Sequence, residues 1–557
     1  MKKLSAILLT LAMIIATNLT AFAVDTTVNI TDDGDKTYYG YQLLFVTSSL
    51  KEDEHHTAHE GAHNGNCYNF SYTVNPKYRV ILQNEVHSKG GNYLWEVTPK
   101  PATPTGITDK QIEEYLAHQS SDVGSEYHSM RQVADRLYRA ILAAGNIDPD
   151  EDDLTGNGDK IDQGYWIFAD ATAIAEDESK SLVMVNTAGL NELNITAKTD
   201  LPTVEKKVKD IDDTRDSNIV DNVWSDSADH DIGDTVPFKL TATLPSNLRG
   251  YLELDANQNS VNPYKLIFHD TLSEGLTLAE DAVIKVYMYN TKHEADVDID
   301  INSFAKDVTA NFEIKRDGIA DGCTFEAICE DIFAIEGVTK DCAFVVYYSA
   351  QLNNQAKIGA TGNSNEVFLE FSNDPYGNTT GKTEEDVVMV YTYKLIVNKI
   401  DAEGHSLKGA GFTLYKKVLG SAQPDQYEKI GDEIKGEDLT QFVWKGLDDG
   451  DYKLVESTVP DGYNKMDDMT FTVTAEHSEI DGEIKLLALN GGAMGTGTVV
   501  DDVLTGEIEK DIVNNTGVEL PSTGAQGTFW LIFGGAMIAI LAAVFMITRK
   551  KMSIYED

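Results

Sequence analysis

Over most of this chain, apolar and polar residues alternate in short runs separated by Asn, Asp and Gly. Near the start, "YQLLFVTS" (41–48) and "YTVNPKYRVIL" (72–82) predict strands. Between Asp109 and Ala144 the period changes. "KQIEEYLAHQ" and "SMRQVADRLYRAILAAG" carry apolar residues near three- and four-residue spacing, and Gly145 gives a stop, which predicts a helical insertion. "QGYWIFAD" then returns to strand. From about 201 to 393 the runs are almost all strand-like: "VPFKLTATL", "YKLIFHD", "VIKVYMY", "CAFVVYYSAQL" and "NEVFLEF". A smaller set follows, "KLIVNKID", "GFTLYKK", "DYKLVES", "MTFTVTA" and "DIVNN". Short strands at this spacing predict β-sandwiches.

The two ends read differently. Thr528 to Thr548 contains no charged residue and is long enough to span a bilayer as a helix. Arg549, Lys550 and Lys551 follow at once, which directs the tail to the cytoplasm. At the other end Lys2 and Lys3 precede an apolar run closing in Ala21-Phe22-Ala23, the small-x-small form of a signal-peptidase site, with cleavage expected after Ala23. The expected division is 1–23 signal peptide, 24–200 an N-terminal β-rich domain with a helical insertion, 201–393 and 394–517 two β-sandwiches, and 518–557 the C-terminal helix with its flanks.

Composition narrows the function. The 91 acidic residues against 45 basic ones give a net charge of −46, which argues against nucleic acid or anionic membranes as partners. Four cysteines, Cys67, Cys323, Cys329 and Cys342, are too few for a disulfide scaffold; Cys323 and Cys342 fall in neighbouring strand-like runs, and their pairing is left open. His55, His56, His59 and His63 sit close together but read as a solvated loop. Asp148, Asp150 and Asp152 begin a calcium-like loop that lacks the glycine at position six and the glutamate at position twelve. No metal or cofactor is expected. The chain has no G-x-S-x-G, P-loop or zincin motif, so an enzyme is not expected.

Leu520-Pro521-Ser522-Thr523-Gly524, followed by the apolar run and the basic tail, resembles the sortase cell-wall sorting signal of Gram-positive bacteria. The resemblance implies cleavage between Thr523 and Gly524, transfer of the Thr523 acyl group to an amine, and attachment to peptidoglycan, so the membrane helix holds only the precursor.

The last sandwich, with "LIVNKIDAEGHSLKGAGFTLYKK", "GDYKLVESTVPDGY" and "DIVNNTGVELPSTG", resembles Cna-B-type domains of Gram-positive surface proteins. There a first-strand lysine joins a last-strand asparagine in an intramolecular isopeptide bond promoted by a buried glutamate. The matching positions are Lys399, Glu456 and Asn514, with Asn515 second. "PTVEKKVKD", "IGDTVPFKLTATLP", "FHDTLSEGLTL" and "YYSAQLNNQAKIGATGNSNEVFLEFSN" resemble the Cna-A-like domain of major fimbrial subunits. That resemblance implies Lys206 as nucleophile, Asp270 as acid and Asn365 as acceptor, with Asn363 as runner-up. Lys207 belongs on the opposite face of the strand by the two-residue period.

The chemistry such sets need follows from burial. A lysine among apolar strands loses stabilisation of its charged form, and a buried carboxyl favours its protonated form. Folding then holds the reactants side by side at effective molarities on the order of 10⁵ M or more.

In fimbrial subunits a lysine just ahead of this strand receives the sorting-signal threonine of the next subunit. Lys198 holds that position, preceded by Thr196-Ala197 where the family usually has Tyr-Pro. The expectation is a mainly β chain of tandem immunoglobulin-like, Cna-type sandwiches with a C-terminal transmembrane helix. It would be a secreted, wall-anchored shaft subunit of a covalent pilus that supports adhesion. Its partners would be a sortase, identical subunits, other pilins, peptidoglycan and host surface ligands. The alternative is a monomeric sortase-anchored adhesin built from the same domains.

Overall fold

The computed structural model describes residues 25–31, 36–51, 68–95, 99–119, 129–171, 179–196, 201–211, 222–246, 248, 262–296, 305–418, 426–480, 483–517 and 525–552. The chain is mainly β, with the described strands in six sheets, most of the described α-helices in the N-terminal region and one long helix at the C-terminal end of the described chain.

In the N-terminal region, Thr26–Thr31 pairs antiparallel with Asn157–Ile161 and parallel with Glu192–Thr196. A five-stranded sheet is built around Tyr38–Lys51 and Gly164–Asp170. Three helices, Arg79–Lys89, Asp109–Ala117 and Ser129–Ala144, share one apolar core with that sheet, including Tyr41, Leu44, Leu82, Ile112, Leu137 and Ile167. Thr108 and Gln111 form a capping box at the second helix, and Gly145 at φ +67° follows the third.

The expected strand at 72–82 is corrected here. The strand ends at Val74, and Arg79–Lys89 is helical. Val80, Ile81 and Leu82 look like a strand run, but Tyr78, Leu82 and Val86 recur every four residues and are all buried. Burial of that stripe outweighs the β-propensity of the run.

The middle region is two seven-stranded sheets face to face. The first centres on Thr235–Thr243, between Val204–Ile211 and Ala343–Leu352. The second centres on Leu266–Leu272 and Asn363–Ser372. The C-terminal sandwich packs a four-stranded sheet on a five-stranded one. In it the first strand, Tyr393–Asp401, lies parallel to the last, Val503–Asn514, so that Lys399 pairs with Ile512 and Asp401 with Asn514.

Neighbouring units touch closely. Tyr376 of the middle region hydrogen-bonds Asp135 and stacks edge-on against Tyr138, 4.8 Å between centroids. On the other side Gly359 meets Gly506, both at positive φ. A Cβ on Gly359 would lie 2.3 Å from the Thr505 carbonyl oxygen, so only glycine permits this approach.

A 28-residue helix, Ala525–Met552, closes the described chain. No helix among the described residues is long and apolar enough to cross a membrane. The side chains described on this helix are those of 534–547, a shorter stretch than the uncharged sequence run, and Ile538, Leu541, Phe545 and Met546 on it are exposed.

Candidate functional site

Alternation along Val204–Ile211 turns Lys206 and Val208 inward, while Lys207 faces outward and pairs with Asp226 at 2.5 Å. Lys206 is 0 % exposed in the sandwich core. Its Nζ donates to Asp270 Oδ2 at 2.6 Å, to Asn365 Oδ1, and to the Glu366 carbonyl at 3.0 Å. Three acceptors match the three donors of an ammonium. Lys206 and Asp270 come from opposite sheets, and Asp270 and Asn365 from adjacent strands of one sheet.

Burial pulls the Lys206 amine below the usual lysine range, against the opposing pull of Asp270, and raises the Asp270 carboxyl. Both directions ease transfer of the Lys206 proton to Asp270.

Tyr348 completes this cluster. Its hydroxyl lies 2.8 Å from both Asp270 carboxyl oxygens, and it accepts from Asn365 Nδ2 at 2.6 Å. Phe238 and Phe325 flank its ring. Sequence reasoning missed it. The available signal was its inward parity with Phe344, Val346 and Ala350 on one strand. Asn363 is buried too, but its amide is spent on Lys357 N, Lys357 O and Val390 O, tying a turn to the next strand.

In the C-terminal sandwich Lys399, Glu456 and Asn514 are sealed from solvent, and Asn515 is exposed. Lys399 Nζ donates to the Ile400 and Ile512 carbonyls, 3.0 Å each. A neutral amine has two N–H donors and a lone pair, and two acceptors match that count. Burial brings the Lys399 pKa down to about 8, against the pull of Glu456 and Asp401. Glu456 accepts from Asn514 Nδ2 at 2.7 Å and from the Met466 N–H at 2.8 Å. Asn514 Oδ1 is buried without a hydrogen bond.

Ala23, Lys198, Leu520, Pro521, Ser522, Thr523, Gly524, Cys67 and the histidines at 55, 56, 59 and 63 lie outside the described residues. Cys323, Cys329 and Cys342 are free buried thiols, so Cys323 and Cys342 do not pair. Asp150 serves as a hydrogen-bond acceptor for Tyr78, Lys77 and the Gln42 N–H; Asp148 and Asp152 are exposed.

The prealbumin-like fold domain of the SpaA family matches residues 393–486, and the LPXTG cell-wall anchor motif matches 512–553. The trypsin-resistant surface T6 protein of Streptococcus pyogenes serotype M6 is 24 % identical over 431 residues, 64 % of this chain and 70 % of that protein. Among solved structures, the three-domain T6 backbone pilin of serotype M6 Streptococcus pyogenes is 17 % identical with a TM-score of 0.48, covering 89 % of this chain and all of that one. The group B streptococcus pilus 2b backbone protein is 20 % identical with a TM-score of 0.35, covering 53 % of this chain and 97 % of that one. The anchor makes the chain a sortase substrate held at the cell wall. The chain thus carries an LPXTG cell-wall anchor motif and a prealbumin-like fold domain, and it is similar to the T6 surface protein of Streptococcus pyogenes.

Proposed function

We propose that residues 201–393 and 394–517 each close an intramolecular isopeptide bond, and that residues 24–200 form the end that receives the next subunit. Lys206, Asp270 and Asn365 make the first set; Lys399, Glu456 and Asn514 make the second. The neutral lysine amine adds to the amide carbon while the protonated acid hydrogen-bonds the carbonyl oxygen. The carbon–nitrogen bond of the asparagine amide then breaks, and its nitrogen leaves as ammonia with a proton from the lysine. One amine and one primary amide become one secondary amide and one ammonia.

The observation that supports this most directly is the contact of Lys206 with both Asp270 and Asn365 in a core closed to water. Tyr348 holds the leaving nitrogen of Asn365 beside the acid. In the second set, a half-turn of the Asn514 amide would bring its unpartnered Oδ1 against Glu456, the orientation in which the acid polarises the carbonyl.

Thr523 supplies the acyl group that joins subunits, and Lys198 supplies the amine. The apolar run 528–548 holds the precursor in the membrane until the sortase cuts after Thr523, and the final transfer is to peptidoglycan. Other pilins and host surface ligands are the further partners of such a shaft. Proteolysis of the secreted protein followed by tandem mass spectrometry tests the internal bonds. The expected products are branched peptides joining Lys206 to Asn365 and Lys399 to Asn514; linear peptides carrying free Lys206 and Lys399 would exclude both.

A further inference from the structure

On the strand Leu266–Leu272, Asp270 points into the core and His269 points to the opposite face of the sheet. There His269 Nδ1 lies 2.8 Å from Asp321 Oδ2, 3.6 Å from Glu326 Oε1 and 4.0 Å from Cys323 Sγ. One donor atom from each of these four residues falls within 4.8 Å of the others. Tetrahedral ligands 2.0–2.3 Å from a zinc ion stand about 3.3–3.8 Å apart, so small side-chain shifts would close the set on one ion.

The supporting contacts already orient these donors. The second oxygen of Asp321 accepts from the Cys323 N–H at 3.1 Å. The second oxygen of Glu326 pairs with Lys315 Nζ at 3.2 Å. The far nitrogen of His269, buried and without a hydrogen bond, faces Glu370 Oε2 at 3.6 Å, the carboxylate–histidine arrangement that outer-shell partners provide in metal sites. Phe368 stacks on the imidazole at 4.4 Å and holds its plane. His269, Cys323 and Glu326 are buried, and Asp321 reaches solvent, which leaves an entry path. One sulfur, one imidazole nitrogen and two carboxylates suit Zn²⁺ and are wrong for Ca²⁺ or Mg²⁺, which take oxygen alone.

We propose that His269, Asp321, Cys323 and Glu326 form a four-coordinate Zn²⁺ site on the outer face of the middle sandwich, with Glu370 as the outer-shell partner of His269. On binding, the Cys323 sulfur–hydrogen bond breaks, its proton passes to solvent, and a sulfur–metal bond forms. The ion ties the turn at 321–323 to the strand that carries Asp270.

Titration of the secreted, reduced full chain with Co²⁺ tests this, followed by displacement with Zn²⁺. The expected result is one equivalent with a thiolate-to-cobalt charge-transfer band and tetrahedral visible bands, abolished in Cys323→Ser and kept in Cys342→Ser. Glu370→Gln should weaken binding by about 10–100-fold, and it decides the matter if Cys323→Ser does not fold. A wild-type chain without the band, or a band that survives Cys323→Ser and is unmoved by Glu370→Gln, overturns the proposal; the second outcome assigns the metal to the His55–His63 segment and Cys67.

Discussion

Lys206 Nζ sits 2.6 Å from Asp270 Oδ2, and solvent reaches neither side chain. Such a pair gains little over an apolar core, because taking both charges out of water offsets their attraction. In the proposed amide formation the arrangement has a clear use: the acid would take the lysine proton, and the Asn365 amide already touches the amine.

Asp270→Ala should therefore block the middle bond and leave the C-terminal one. The variant also strands Lys206 in the core, a loss of about 3–5 kcal/mol. The missing cross-link adds to it, since Lys206 and Asn365 stand 159 residues apart and closing a loop of that length is worth about 5 kcal/mol in the chain-entropy account. Thermal unfolding should show the middle unit melting well before the wild type, with one ammonia loss remaining by mass.

Tyr348→Phe keeps the ring between Phe238 and Phe325 and removes only the hydroxyl that joins Asp270 to Asn365. The Asn365 amide nitrogen then loses its acceptor, at a cost of about 1–3 kcal/mol. Freshly folded variant sampled over time should close the middle bond more slowly than wild type. Equal rates would remove Tyr348 from the mechanism.

An unlinked Lys399 should leave a signature in pH. Burial lowers its folded pKa to about 8 from the ordinary lysine value of 10.5. Below pH 8 both folded and unfolded chains carry the charge, and the folded state bears the full burial penalty. Between pH 8 and 10.5 the unfolded chain binds more protons, so stability rises with pH, by about 3 kcal/mol over the window. Asn514→Ala, which cannot form the bond, should show this rise relative to Asn514→Ala/Lys399→Met. The wild type should lack it, because an amide nitrogen does not titrate there.

Parity along strands made much of this legible in the sequence. Lys206 is inward and Lys207 outward, and Asn514 is buried while Asn515 is exposed, as a two-residue period requires. Parity does not separate Asn363 from Asn365, because both face inward. What separates them is register: Asn365 lies opposite Leu272 near Asp270, and Asn363 lies at the strand's end against Val390. Tyr348 was hidden for a related reason. Its role depends on a strand from the facing sheet arriving at the right height, which no local pattern encodes. The helix at Arg79–Lys89 was misread because its β-branched start obscured the four-residue stripe.

Lys198 is the acceptor proposed for assembly. In the native host, Lys198→Ala should abolish the high-mass ladder on denaturing gels and leave wall-anchored monomer. A ladder that persists assigns the acceptor to another lysine, and a wild type without any ladder favours the monomeric adhesin.

The intact mass of the secreted protein tests the central claim most directly. Each bond expels one ammonia, about 17 Da, once the reactants are held together by folding. The account predicts a wild-type mass about 34 Da below that of the processed sequence, with Asp270→Ala and Glu456→Ala each restoring about 17 Da. A wild-type mass equal to the unmodified sequence would contradict it.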